Sequence, residues 1–238
     1  MTTTTSSRPR AIFFDAGNTL LRIDYGAIVA ELTRLGAPVA EAALQRAEWR
    51  ARVRLDTDVL AGGRASTESR TTLGRYLEYV LEGVDVTDDA TLRAMAEWRS
   101  RFNPPVGLFR LPDPAAAGAL AAARDAGLAT GVISNSNGSI AGLLGSLGFL
   151  PYLDFVLDSF VVGVEKPDPR IFRMALERAG VDAGEAVYVG DLYSIDVLGA
   201  RSVGMRAILL DPGRCWGERD CSAAPDVAAA VRLALGAP

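Results

Sequence analysis

Three carboxylates, one lysine and one serine are spaced along this chain in a way that could do chemistry on an anion. Asp15 closes the apolar run Ala11-Ile-Phe-Phe, Asp191 closes Ala186-Val-Tyr-Val-Gly, and Asp196 follows five residues later. Ser134 ends a third run, Thr130-Gly-Val-Ile-Ser, and Lys166 lies in the loop before the helical stretch that leads into Asp191. Ligands of an open parallel sheet bind at the carboxyl ends of its strands, so these residues are expected to converge. Carboxylates brought together repel unless protonated or bound to a cation. A few hard oxygen ligands completed by water and substrate oxygens suit Mg2+. Lys166 would supply a compensating positive charge. Ser134, Asn135 and the backbone amides at 16–19 would offer donors to a phosphoryl oxygen. The set reads as an electrostatic clamp around an anion, with a nucleophile inside it.

The elements that must position these groups alternate along most of the chain. After residue 112, runs of strand type at 130–134, 155–157, 186–191 and 205–210 are separated by helical stretches of about 10–15 residues, which implies a parallel sheet with right-handed crossovers. Asp113-Pro114 and Asp168-Pro169 read as helix starts, with an Asp cap and Pro at the first helical position. Helices are expected to end at Gly127, Gly148 and Gly180, with others at 194–203 and 225–235. Between Tyr25 and Phe102 the pattern is helical throughout, over 26–35, 39–55, 67–83 and 88–101. Residues 103–112, with two adjacent prolines and a glycine, read as a linker. Residues 211–223 read as a loop. There is no internal repeat, and Thr2–Thr5 is the one low-complexity segment.

Composition excludes several function classes. The 238 residues carry a formal net charge of −4, which does not suit a nucleic-acid surface. No apolar run approaches the ~20 residues of a membrane span. The opening Met-Thr-Thr-Thr-Thr-Ser-Ser-Arg-Pro-Arg is a polar tail expected to fray and does not read as a signal peptide, so the expected location is cytoplasmic. Cys215 and Cys221 are too few for a disulfide framework and are expected as reduced thiols. With no histidine in the chain, mechanisms using histidine as base, ligand or phosphoryl carrier are excluded. Lys166 is the one lysine, against two dozen arginines.

The segment Phe-Phe-Asp15-Ala-Gly-Asn-Thr-Leu-Leu resembles the first motif of the haloacid dehalogenase (HAD) superfamily. Val-Ile-Ser134-Asn resembles the second, Lys166 in Val-Glu-Lys-Pro-Asp-Pro-Arg-Ile-Phe the third, and Gly-Asp191-Leu-Tyr-Ser-Ile-Asp196 the fourth. The four follow the family's order across about 8–22 and 105–215. The resemblance implies an α/β fold: a Rossmann-like parallel sheet with helices on both faces, formed by residues 1–22 and 105–238. The insertion 23–104 is similar to the helical cap of the branch that includes phosphoglycolate phosphatases, phosphoglucomutases and haloacid dehalogenases; such caps close over the site and exclude water. The implied activity is Mg2+-dependent hydrolysis of a small phosphorylated metabolite. By position, Asp15 resembles the nucleophile that forms an aspartyl-phosphate and also binds Mg2+. Ser134 resembles the residue that hydrogen-bonds the phosphoryl group, and Lys166 the lysine that orients the nucleophile. Asp191 matches the main metal ligand, Asp196 a supporting or water-mediated one, and the Gly17 carbonyl a further ligand. Asn18, Thr19, Asn135 and Arg22 are expected around the substrate.

One position departs from the pattern. Phosphatases of the family carry a second Asp two residues after the nucleophile, which protonates the leaving group and then activates water. Here Gly17 stands there, and Asn18 cannot exchange a proton at neutral pH. General acid–base assistance is worth ~10²–10⁴ in rate, so a phosphatase of this sequence must use an activated ester, take an acid from the cap, or be slow. Dehalogenases of the family also lack that Asp, because halide leaves unprotonated, but a site keeping Asp191 and Asp196 without a cation would repel an anionic haloacid. Phosphonate cleavage through a cap lysine is excluded, since 23–104 contains none. A protein that binds a phosphorylated ligand without turnover is the remaining alternative. The cap arginines, among them Arg46, Arg50, Arg52, Arg54, Arg64 and Arg70, read as a solvated face with one reaching the substrate; Trp49 and Trp98 read as cap core.

Overall fold

The strand β1 (Ala11–Phe14) is buried at every position, as expected of a parallel strand covered on both faces. After it come β2 (Leu21–Ile23) and four helices, α1 (Tyr25–Arg34), α2 (Glu41–Leu55), α3 (Arg70–Glu82) and α4 (Asp89–Arg101). Next are β3 (Phe109–Pro112), α5 (Ala116–Asp125), β4 (Ala129–Ser134), α6 (Ile140–Ser146) and β5 (Phe155–Asp158). The chain continues with the single turn α7 (Ser159–Val162), α8 (Pro169–Ala179), β6 (Ala186–Gly190) and α9 (Leu198–Arg201). It ends with β7 (Arg206–Leu210), β8 (Ser222–Ala224) and α10 (Val227–Ala234). This computed structural model describes residues 8–63 and 65–236. Residues 1–7, with the expected polar tail and Thr2–Thr5, lie outside the described residues, as does Arg64.

Six parallel strands form one sheet in the order β5-β4-β1-β6-β7-β8. From β1 the chain builds one side through β4 and β5, then crosses to build the other from β6. Such a switch in strand order leaves a crevice at the carboxyl ends of the central strands. Alternation along each strand divides the core. Ile12, Phe14, Val132, Val189 and Ile208 face α5, α6 and α10, whereas Phe13, Ile133, Leu157, Tyr188 and Leu209 face α8 and α9. The helices α1–α4 share a third cluster, with Ile28, Leu32, Leu44, Leu77, Leu81 and Met95 at its centre and Ile195 joining it from the core.

Helix starts follow the sequence chemistry. Asp168 caps α8 by accepting from the Arg170 amide, with Pro169 at the first position. Asp113 accepts from the Ala115 amide instead, and α5 begins only at Ala116. Three expectations need correction. Residues 103–112 are not only a linker: Phe109–Pro112 pairs antiparallel with Leu21–Ile23. Strands this short carry too few alternations to stand out beside two prolines. The loop 211–223 ends in a strand, since Ser222–Ala224 joins the sheet edge. The helix expected over 194–203 is a π-helical turn, Tyr193–Val197, followed by α9. Among the described residues, no helix is long and apolar enough to cross a membrane.

Candidate active site

Asp15 follows β1, Ser134 ends β4 and Asp191 follows β6, so adjacent parallel strands deliver all three to one end of the sheet. The π-helical turn then brings Asp196 back over β6. An added Cβ at Gly190 would lie 2.4 Å from Asp196 Cγ, so only glycine leaves room for that carboxylate. Ligand oxygens of Asp15, Asp191 and Asp196 lie within 4.8 Å of one another, and all three residues are buried.

Lys166 holds this cluster together. Its Nζ donates to Asp15 Oδ1 at 2.6 Å, to Asp196 Oδ1 at 2.8 Å and to the Tyr188 hydroxyl at 2.8 Å. Burial disfavours the ammonium, but Asp15 and Asp196 more than offset that, and its pKa lies above the usual lysine value. Asp196 Oδ2 accepts from the Asp191 and Leu192 amides at 3.1 and 2.9 Å. Both Asp196 oxygens are therefore committed, and the residue acts as the anchor of Lys166 and of the turn rather than as a ready ligand. Burial pushes the Asp15 pKa up to about 6 although Lys166 opposes the rise. Asp191 is pushed up to about 8, mainly by burial and then by Asp15 and Asp196, with Arg52 opposing.

Arg52 comes from α2 and is 4% exposed. Its Nε and NH2 donate to Glu48 at 2.9 and 2.6 Å, and its NH1 stands 3.3 Å from Asp191 Oδ2. Glu48, with no exposed surface, also accepts from Tyr25 at 2.9 Å and Tyr76 at 2.5 Å. Arg52 NH1 has no hydrogen-bond partner of good geometry. Five polar contacts tie this helical block to the rim of the site: Arg52–Asp191, Asn18–Glu48, Asp56–Ser194, Ser66–Glu165 and Thr67–Asn135. Removing one partner of a buried ion pair costs ~3–5 kcal/mol. Glu48→Gln is expected near the lower end of that range, because Asp191 still faces Arg52; the shift of the urea midpoint measures it, and an unchanged midpoint would refute the network's role.

A cavity of about 180 Å3 between the sheet and the helical block is lined by Asp15, Gly17, Asn18, Ser134, Asn135, Lys166, Asp191 and Asp196, eight of the residues singled out from the sequence. Several have other roles than expected. Asn18 donates to Asp191 Oδ2 at 3.1 Å, holding an acid of the cluster. Asn135 clamps the lysine loop: its Oδ1 accepts from the Lys166 amide at 2.7 Å and its Nδ2 donates to the Lys166 carbonyl at 2.9 Å. Ser134 Oγ has one long bond, 3.3 Å, to the Asn135 carbonyl, so it is easily turned to a ligand. Thr19 and Arg22 do not line the cavity. Thr19 is buried in the turn, and Arg22 alternates on β2 with Leu21, which takes the cavity side. Gly17 faces the Phe109 ring: an added Cβ would sit 3.5 Å from it, an ordinary contact, in a backbone conformation open to any residue.

The arginines of 23–104 were expected as a solvated face with one reaching the substrate. Arg46, Arg50, Arg54 and Arg70 are exposed, and Arg52 is the one that is buried and lines the cavity. The Glu48/Arg52 spacing, four apart on a helix, was a signal, but neighbouring arginines obscured it. Trp98 packs on Phe102 beside the helical cluster. Trp49 instead lies against Gly213 of the core.

The family model of haloacid dehalogenase-like hydrolases matches residues 9–204. This chain belongs to that family. The mouse haloacid dehalogenase-like hydrolase domain-containing protein 3 is 46% identical over 87 residues, 37% of this chain and 35% of that protein. The phosphoserine phosphatase of Thermus thermophilus is 42% identical over 116 residues, 48% of this chain and 45% of that one. This HAD hydrolase thus spans less than half the length of either relative in the match. The crystal structure of 2-haloacid dehalogenase from Pseudomonas syringae pv. Tomato is similar over 94% of this chain and 96% of its own, with 26% identity and a TM-score of 0.53.

Proposed function

We propose that this HAD hydrolase is a Mg2+-dependent phosphatase that passes the phosphoryl group of a small metabolite ester to Asp15 and then to water. The observation that carries the reading is Asp191, kept within 4.8 Å of Asp15 and Asp196. With all three carboxylates ionised, the cluster sets three negative charges against the single ammonium of Lys166, and Arg52 is matched by Glu48, so two negative charges remain before an anionic substrate enters. A divalent cation balances them. The donors are all oxygen, and with Asp196 committed the groups that would hold Mg2+ are Asp15, Asp191 and the Gly17 carbonyl. Few carboxylates completed by water and substrate oxygens is the set this ion prefers. When bound, it would neutralise phosphoryl charge and polarise the phosphoryl oxygens.

The chain's own residues divide the rest of the work. The Asp15 carboxylate attacks phosphorus as the bond to the leaving oxygen breaks, giving an aspartyl-phosphate; water then attacks phosphorus and frees the carboxylate. Lys166 fixes the Asp15 rotamer and compensates its charge. Ser134 Oγ donates to a phosphoryl oxygen, and residues 23–104 act as the cap over residues 1–22 and 105–238, excluding water and bringing Arg52 to the cavity.

A second reading, halide displacement from a 2-haloacid, is favoured by Gly17 under an apolar ring and by the P. syringae dehalogenase likeness. Assay of p-nitrophenyl phosphate in Mg2+ or EDTA, beside chloride release from 2-chloropropionate, separates them. Metal-dependent phosphate release is the expected result. Chloride release insensitive to EDTA would replace the reading with dehalogenation, and phosphate binding without turnover would make the protein a phospho-ligand binder.

Mg2+ is also expected to raise the Tm more at pH 8 than at pH 6. Asp15 and Asp191 have raised folded pKa values, about 6 and about 8, so without cation their contribution to stability is present below pH ~4 and lost as pH rises through those values. The cation needs the ionised forms and offsets that loss where protons no longer compete. An equal Tm gain at both pH values would count against binding at these carboxylates.

A further inference from the structure

Four carboxylates line the cavity: Asp15, Asp191, Asp196 and Glu68. Three form the cluster. Glu68 stands apart from it, and no hydrogen bond or ion pair among the described residues takes its carboxylate. Its backbone is nonetheless held in place. Ser66 Oγ donates to Glu165 Oε2 at 2.9 Å, beside Lys166, and Thr67 Oγ1 accepts from Asn135 Nδ2 at 3.0 Å, beside Ser134. On the other flank, Ser69 Oγ accepts from the Thr72 amide at 3.1 Å and caps α3. Glu68 is thus pinned between two contacts to the phosphoryl-binding loops and a helix start.

We propose that Glu68 is the general acid and base standing in for the carboxylate absent at position 17. This rests on the phosphatase reading above. As Asp15 attacks phosphorus, the Glu68 carboxyl gives its proton to the departing alkoxide oxygen, so the alcohol leaves and Glu68 becomes a carboxylate. The carboxylate next takes a proton from water as the water oxygen bonds to phosphorus and the phosphorus–Asp15 oxygen bond breaks. Phosphate is released with Asp15 ionised and Glu68 protonated again.

Other groups in the cavity do not fit the role. The Tyr76 hydroxyl donates to Glu48, and burial with that carboxylate holds its pKa well above the usual phenol value. Lys166 and Arg52 are cations fixed by carboxylates. Partial loss of its water shell at the cavity mouth, then the carboxylates of Glu165, Asp15 and Asp158, push the Glu68 pKa up to about 7, with Arg99 opposing; the residue itself stays exposed to solvent, from which it can exchange its proton. A carboxyl that ionises near neutral pH suits a group that must give and regain a proton.

The test uses the full chain with Mg2+, an alkyl phosphate such as glycerol 2-phosphate, and p-nitrophenyl phosphate, whose phenolate leaves without help. Glu68→Gln is expected to lower kcat/KM on the alkyl ester by ~10²–10⁴, to change the aryl ester by less than about tenfold, and to remove the inflection near pH 7 from the alkyl pH profile. Adding Gly17→Asp to Glu68→Gln should restore most of the alkyl activity, since an added Cβ at position 17 meets the Phe109 ring only in ordinary contact. Equal losses on both esters, or none, would overturn the assignment of Glu68 alone. A wild-type protein that turns over neither ester overturns the phosphatase reading itself.

Discussion

Asp15→Asn is expected to lower metal-dependent phosphate release by on the order of 10⁴–10⁶-fold while leaving the fold intact. The amide keeps the shape of the side chain and an oxygen for Lys166, but it cannot act as the nucleophile. Stability supplies the contrast with a merely structural acid. Burial holds Asp15 at a pKa of about 6, so its ionised form costs folding free energy above that pH, and the cost is not repaid in full by Lys166. In metal-free buffer at pH 8 the variant should therefore melt no lower than the parent. Lost turnover with retained or raised Tm marks a residue kept for chemistry. Turnover within tenfold of the parent would sink the nucleophile assignment.

Lys166→Met should harm both stability and rate. The ammonium sits 2.6 Å from Asp15 and 2.8 Å from Asp196, and without it two buried carboxylates and the Tyr188 hydroxyl face one another. Breaking a buried ion pair of this kind costs ~3–5 kcal/mol. The sign with pH is specific: acids left unpaired have raised folded pKa values, so protonation relieves the defect and the loss should be larger at pH 8 than at pH 5.5. Turnover should fall on the order of 10²–10³-fold, as when one preorganised donor is removed. Lys166→Arg should rescue little, because a planar fork cannot meet three acceptors arranged around one nitrogen. Urea unfolding at the two pH values, with kcat/KM in Mg2+, measures all of this; a pH-independent loss would mean the lysine serves packing rather than charge.

Much of the central site was legible in the sequence. Asp15, Ser134 and Asp191 are fixed by the strands that end at them, and an apolar run closed by a polar residue announces a parallel strand and its catalytic end. The same logic placed Lys166 near them, although not its three simultaneous bonds. Motif spacing was silent on which polar groups are already spent. Asn18 and Asn135 read as donors to a substrate, yet Asn18 holds Asp191 and Asn135 holds the lysine loop. Asp196 read as a ligand, yet Lys166, Tyr188 and two amides fill its oxygens.

The helical block was the least legible part, for a physical reason. Its helices follow from periodicity and caps, but which arginine turns inward depends on how α2 docks on the core. Arg50, Arg52 and Arg54 share one stretch of α2; packing buries Arg52 beside Asp191 and leaves its neighbours exposed. Glu68 lies on no motif and reaches the cavity only because Ser66 and Thr67 bind the core on either side of Lys166. The sequence by itself therefore determined where the proposed nucleophile, the acid cluster, the lysine and the missing carboxylate at Gly17 lie, with Asp15, Ser134 and Asp191 set at strand ends by local hydrophobic pattern. Tertiary structure alone decided what faces that gap, because those contacts join segments far apart in the chain, and local pattern carries no record of how two packed bodies meet.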